Sequence, residues 1–130
     1  MHQTLLPEGW TRPRGYANGI LAQGTKHIFC GGQIGWTDKE VFECTDFVGQ
    51  FRQALLNVFA VLEAGGAGPE HMTRMTWYIT DRDQYLAHLK EIGATYRDIM
   101  GKHYPAMSVV VVSALVEAAA LVEIEVTAVL

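Results

Sequence analysis

HYPAMSVVVVSALVEAAALVEIEVTAVL, running from His103 to Leu130, decides how the rest of the chain has to fold. Pro105 fixes φ and has no N–H, so no helix runs in from upstream. Val109 to Val112 is then an unbroken β-branched run, the composition of a strand covered on both faces. A linker around Ser113 to Ala118 leads to a second strand, Leu121 to Val129, which alternates strictly. Val122, Ile124, Val126 and Ala128 point one way, and Leu121, Glu123, Glu125 and Thr127 the other. Carboxylates on one face of a strand are costly to bury, so that face must meet water or a partner.

Working upstream, Met72 to Thr80 alternates in the same manner, with Arg74, Thr76 and Tyr78 set against Met75, Trp77 and Ile79. Between these strands a helix is expected from Asp81–Asp83, with an apolar stripe of Tyr85, Leu86, Leu89, Ile92, Tyr96, Ile99 and Met100 and a stop at Gly101. An earlier helix begins at Thr45 or Asp46, either of which can cap it. Its apolar face is Phe47, Phe51, Ala54, Leu55, Val58 and Leu62, and Gly65-Gly66 ends it. Near the start, Gln3 to Leu6 reads as an edge strand. Ala17–Ala22 and His27–Cys30 read as a hairpin turned by Gln23-Gly24-Thr25-Lys26, with Gly31-Gly32 ending the second strand.

The expected order is therefore α+β: a single mixed sheet with two helices on one face, in one domain spanning residues 1–130. Two helices cover one face, yet the valine run asks for cover on both. Arg74, Thr76, Tyr78, Glu123 and Glu125, mixed with apolar neighbours, would occupy the uncovered side. Such a mixed face makes poor solvent surface and a good subunit interface. An oligomer packed sheet against sheet is the expectation.

Composition narrows the function classes. The chain has 130 residues, 49% hydrophobic and 18% charged, with a formal charge of −4. That charge argues against a general nucleic-acid binder. Glu117 and Glu123 interrupt the valine-rich region well short of a membrane span, and MHQTLLPEGW lacks the basic start and apolar core of a signal peptide. Cys30 and Cys44 form no C-x-x-C, which suits a reduced, cytoplasmic setting.

Motifs for hard chemistry are sparse. The five histidines show no H-x-H or H-E-x-x-H spacing, so no metal site is expected. Neither G-x-x-x-x-G-K-[ST] nor G-x-S-x-G occurs. Trp10, Arg12, Arg14 and Tyr16 form a basic, aromatic loop whose plainest reading is solvated surface, with a small nucleic-acid patch as the sharper one. Gly31-Gly32-Gln33 matches the GGQ of release factors, but those work beside a basic RNA surface that this acidic chain lacks. Glycines there can still expose backbone N–H groups to a ligand. Cys30 reads as a buried strand residue.

Taken together, Tyr16, Gly31-Gly32-Gln33-Ile34, Tyr104-Pro105-Ala106 and Val122-Glu123-Ile124-Glu125-Val126 resemble the YjgF/RidA family over nearly the whole chain. The resemblance implies a chorismate-mutase-like fold and a homotrimer whose three sheets form a barrel with ligand clefts between subunits. It implies hydrolysis of reactive enamines and imines to carbonyl compounds and ammonia, without cofactor or metal. Tyr16 falls on a cleft tyrosine, Gly31, Gly32 and Gln33 on the substrate loop, and Glu123 on the glutamate that holds or activates water. Gly31 stands where many members carry a hydroxyl.

Met107 is the main departure, because the family signature reads Pro-Ala-Arg and that arginine grips the substrate carboxylate. Such a charged, bidentate contact typically contributes about 1.5–3 kcal/mol, roughly ten- to a hundredfold in binding. Arg14, two residues from Tyr16, is the local substitute if the segment is extended. The alternative function is a non-catalytic metabolite-binding or interaction trimer that has lost the deaminase arginine. Ribonuclease activity is a weaker third.

Overall fold

The computed structural model describes all 130 residues. A four-stranded sheet carries the domain, in the order β3 (His27–Ile34), β6 (Val122–Val129), β4 (Met72–Ile79), β5 (Ala106–Val111). Strand β6 runs antiparallel to both neighbours, and β4 and β5 are parallel. A separate two-stranded ribbon pairs β1 (Gln3–Leu5) with β2 (Gly19–Leu21). Helices α1 (Phe47–Ala64), α2 (Arg82–Ala87) and α3 (Leu89–Met100) supply the crossovers. No helix is long and apolar enough to cross a membrane.

The alternation of β6 sets the layers. Val122, Ile124, Val126 and Ala128 are buried together with Met75, Trp77 and Ile79 of β4. Phe47, Phe51, Ala54, Leu55, Val58 and Leu62 of α1 and Ile92, Tyr96 and Met100 of α3 close that face. Phe51 stands edge-on to Trp77 at 4.7 Å between ring centroids, a favourable aromatic geometry. Asp46 caps α1 by accepting from the Gly49 N–H at 2.9 Å. Gly65 and Gly66 (φ 79°) end it. The expected helix-bearing and open faces are both present.

Three details depart from the sequence reading. The hairpin joining β2 to β3 does not form, because Thr25 and Lys26 donate to the Leu130 carbonyl. That docking hands β3 to the C-terminal strand and leaves β2 to pair with β1. Gly31-Gly32 does not end β3 but forms a bulge, where the register slips between Cys30 and Gln33. The second helix breaks at His88 (φ −124°, ψ 24°), which caps both pieces. The break moves Leu86 and Leu89 out of the stripe, each about half exposed. As the count of helices implies, the valine run is not covered on both faces within the chain: β5 lies at the sheet edge and Val111 is 53% exposed. One chain has an open sheet, and a closed barrel requires further copies.

Gln50 welds the loops to this frame. It is 1% exposed, yet every polar atom of its amide is used. Its Nε2 donates to the carbonyls of Cys44 (3.2 Å) and Ala119 (2.9 Å), and its Oε1 accepts from the Leu121 N–H (2.8 Å). The entry to β6 is thereby held against α1, which fixes where Glu123 emerges.

Candidate functional site

The open face of the sheet collects polar side chains by register alone. Glu123 pairs across from Tyr78, and Glu125 from Thr76. Tyr78 Oη donates to Glu125 Oε1 at 2.6 Å. That bond, followed by partial desolvation and the negative charges of Glu125 and Glu123, raises the Tyr78 phenol above its ordinary range against the opposing pull of Arg74. Glu125 is thus committed to Tyr78, whereas no ion pair engages Glu123. A hollow of about 300 Å³ opens beside them, lined among others by Phe29, Gly31, Arg74, Thr76, Glu125 and Thr127.

The bulge in β3 seats Glu123. A Cβ added at Gly32 would lie 2.7 Å from Glu123 Cδ, so only glycine leaves room for that carboxylate in its place. Gly31 has open space around it. Gln33 folds back over the bulge, its Nε2 donating to the Gly31 carbonyl at 3.2 Å. Gly31, Gly32, Gln33 and Glu123 are therefore one local assembly. Cys30, beside them in sequence, faces the core, and burial pushes its thiol up to about 11. At neutral pH it is protonated and unreactive.

The other expected site residues lie elsewhere. Met107 is level with Met75, on the helix-bearing face, where it packs partly against the core. It is therefore on the opposite side of the sheet from Glu123. Tyr16 is fastened beside β5 by the Ala17 N–H, which donates to the Pro105 carbonyl at 3.0 Å. It lines a second hollow together with Arg12, Lys102 and Tyr104, and Arg14 is not among the residues lining it. One chain thus does not bring Tyr16, Met107 and Glu123 together.

Sequence alternation had placed Tyr78, Arg74 and Glu125 on the open face but had not marked them as site residues. The same parity along β4 and β6 was the available signal. Lys102 carries no signal in the sequence and Tyr104 enters only through the Tyr104-Pro105-Ala106 motif; the fold is what brings both to Tyr16. No group of three or more His, Cys, Asp or Glu side chains is placed to hold a metal ion.

An α+β sheet with a glycine bulge under a strand glutamate sets the class of fold, and comparison with known proteins gives the family. The Endoribonuclease L-PSP family model matches residues 12–130, so the chain belongs to this family, also known as YjgF/RidA. Similar solved structures include the Rid-family protein of unknown function YyfB from Yersinia pestis, 28% identical with a TM-score of 0.85, covering 99% of this chain and 98% of that one. E. coli TdcF with bound serine is 29% identical with a TM-score of 0.68, covering 94% and 91%. Rv2704 of Mycobacterium tuberculosis is 29% identical with a TM-score of 0.64, covering 89% and 87%. No curated protein matches the chain.

Proposed function

We propose that this protein forms a homotrimer and hydrolyses a small enamine or imine in clefts between subunits, with Glu123 as the acid–base residue. In this reading Glu123 takes a proton from water as the water oxygen adds to the imine carbon. That proton passes to nitrogen to give a carbinolamine; Glu123 then takes the hydroxyl proton and returns it to nitrogen as the C–N bond breaks, so a carbonyl compound and ammonia leave. Neither metal nor cofactor is needed to balance that reaction. A reducing, cytoplasmic setting suits it, since Cys30 and Cys44 are both free thiols.

The observation that carries the reading is the Glu123 carboxylate, unpaired on an uncovered sheet face and seated over Gly32. The opposed placement of Met107 and Glu123 supports a composite cleft, because a ligand touching both positions needs a second copy of the chain. The serine bound to TdcF supports a small, amino-acid-like ligand. A second reading is favoured by Met107, whose thioether cannot grip a carboxylate: a trimer that binds a metabolite without turning it over. The ribonuclease reading draws least support, since the open face sets two glutamates against Arg74 and phosphate backbones are repelled by such a surface.

The deciding experiment generates imines in situ from amino acids and follows carbonyl release. The account expects slow turnover of amino-acid-derived imines and loss of it in Glu123→Gln. Turnover equal in the wild type and Glu123→Gln would remove Glu123 from the mechanism. Binding without turnover on any imine would establish the second reading.

A further inference from the structure

The four strands of the main sheet carry one arginine, two glutamates and no lysine or aspartate. Arg74, Glu123 and Glu125 all stand on the open face, in step with Thr76 and Tyr78. Glu125 is answered within the chain, since the Tyr78 hydroxyl donates to it at 2.6 Å. Arg74 and Glu123 have no such answer, and neither takes part in any of the chain's ion pairs. Glu123 lies opposite Tyr78, four positions along β4 from Arg74, which is about 13 Å at the rise of a strand. Each chain thus holds one unmatched cation and one unmatched carboxylate, at different heights on one face.

That face also asks for cover. Phe29 is 77% exposed and lines the same hollow as Arg74. Covering two neighbouring carboxylates without bringing up a cation is strongly unfavourable, so the covering surface must itself be positive opposite Glu123. A second copy of this face meets that condition, because its own Arg74 is free. The contact is heterologous, one height against another, and repeated round a closed ring it leaves no charge unmatched. Register gives the same direction. Arg74 pairs with Ala106, at the end of the sheet that carries Met107 and the bridge from Ala17 to Ala106. An approach that brings position 107 of one copy to Glu123 of the next carries Arg74 with it, one strand away.

We propose that Arg74 works across the subunit boundary: its guanidinium pairs with Glu123 of the partner subunit and completes each Glu123 site. The inference rests on the trimeric reading above and adds to it the residue that one copy lends the next. A guanidinium suits the task, being charged at every working pH and able to meet both oxygens of a carboxylate. Arg74 is a positioning residue here, holding the Glu123 carboxylate ionised and oriented once assembly has excluded water around it. Glu125, fastened to Tyr78, stays out of the pair.

The test is complementation between two damaged chains. Arg74→Gln and Glu123→Gln, assembled separately, should each lose imine turnover by at least about tenfold. Refolded together from urea in equal amounts, they should recover about a quarter of the wild-type rate, the share of sites at which random assembly joins an intact Arg74 to an intact Glu123. If Arg74 serves its own chain, every site keeps one lesion and the mixture stays as inactive as its parts; that result overturns the proposal. A second measurement needs no turnover. Arg74→Cys and Glu123→Cys, each in a Cys44→Ser chain because Cys44 is a free thiol, are mixed in the same way and treated with a short bismaleimide. The mixture should give a covalent dimer with one chain of each kind. No mixed dimer, or an equal yield of dimer from either chain alone, overturns the proposal. Where a single substitution weakens assembly, the mixture should sediment as a larger species than either component, and failure to do so overturns it equally. A wild type that turns over no imine while the mixed dimer forms would remove the catalytic reading and leave the pairing. An active wild type with neither mixed dimer nor recovery would do the reverse.

Discussion

Adjacent glycines play different parts at the bulge. Gly32→Ala puts a methyl group where the Glu123 side chain sits, whereas Gly31→Ser projects into open space. Since a glutamate can swing away for the cost of an unfavourable rotamer, Gly32→Ala should lower stability by only about 1 kcal/mol. It should nevertheless abolish any Glu123-dependent turnover. Gly31→Ser should stay within about 0.5 kcal/mol of the wild type, and urea denaturation beside the imine assay would show whether the two effects separate. Equal losses from both would mean that the bulge matters only for stability. Cys30 offers a second check at this scale. Its folded thiol titrates at about 11, above the ordinary 9.0, so the unfolded chain releases that proton first. Its stability contribution is complete below pH 9 and falls away as pH rises towards 11. A Cys30→Ala variant should show a shallower loss of stability across that window, followed by thermal melting at successive pH values.

Single residues were also where the sequence was hardest to read. Glu123 and Gly32 were legible as types but not as a pair, because the bulge that joins them depends on β3 meeting β6 across the whole length of the chain. The reading of Arg14 as the local substitute cation rests on the premise that residues around Tyr16 are extended. Gly15, at φ 77°, turns the backbone there and defeats that spacing argument.

At the scale of elements, strict periodicity was reliable and pairing was not. The alternation of β6 and the stripe of α1 report burial directly, and both hold residue by residue. The β2–β3 hairpin failed because a short Gly-containing turn is a local signal, and the hydrogen bonds of Thr25 and Lys26 to Leu130 are not local. The valine run poses a different demand. Its composition states that cover is wanted but not whether the same chain supplies it, and β5 lies at an edge. Gln50 shows how much of the arrangement rests on one buried amide. Gln50→Ala leaves two carbonyls and one N–H without their partners, at a cost of about 2–4 kcal/mol. Chemical denaturation should show that loss, with hydrogen exchange accelerating first around Ala119 to Leu121. A loss below about 0.5 kcal/mol would mean that water replaces the amide freely.

For the whole molecule, the open face is the unresolved demand. Phe29 stands 77% exposed on it, stacked beside His27 and next to Glu125, Thr127 and Arg74. Val110 and Val111 are exposed on β5, at the opposite edge of the sheet. A large aromatic ring on a polar sheet face is what an interface core needs. Phe29→Asp should leave the fold of one chain intact while weakening assembly, because its side chain packs against no residue of the buried core.

The composite cleft requires those copies, so mass in solution tests it most directly. Sedimentation equilibrium of the wild type at micromolar concentration should give three times the 14.4 kDa chain mass, with Phe29→Asp shifted towards the single chain. A wild type that sediments as a stable 14.4 kDa monomer would contradict the account, since Glu123 and residue 107 would then never face the same ligand.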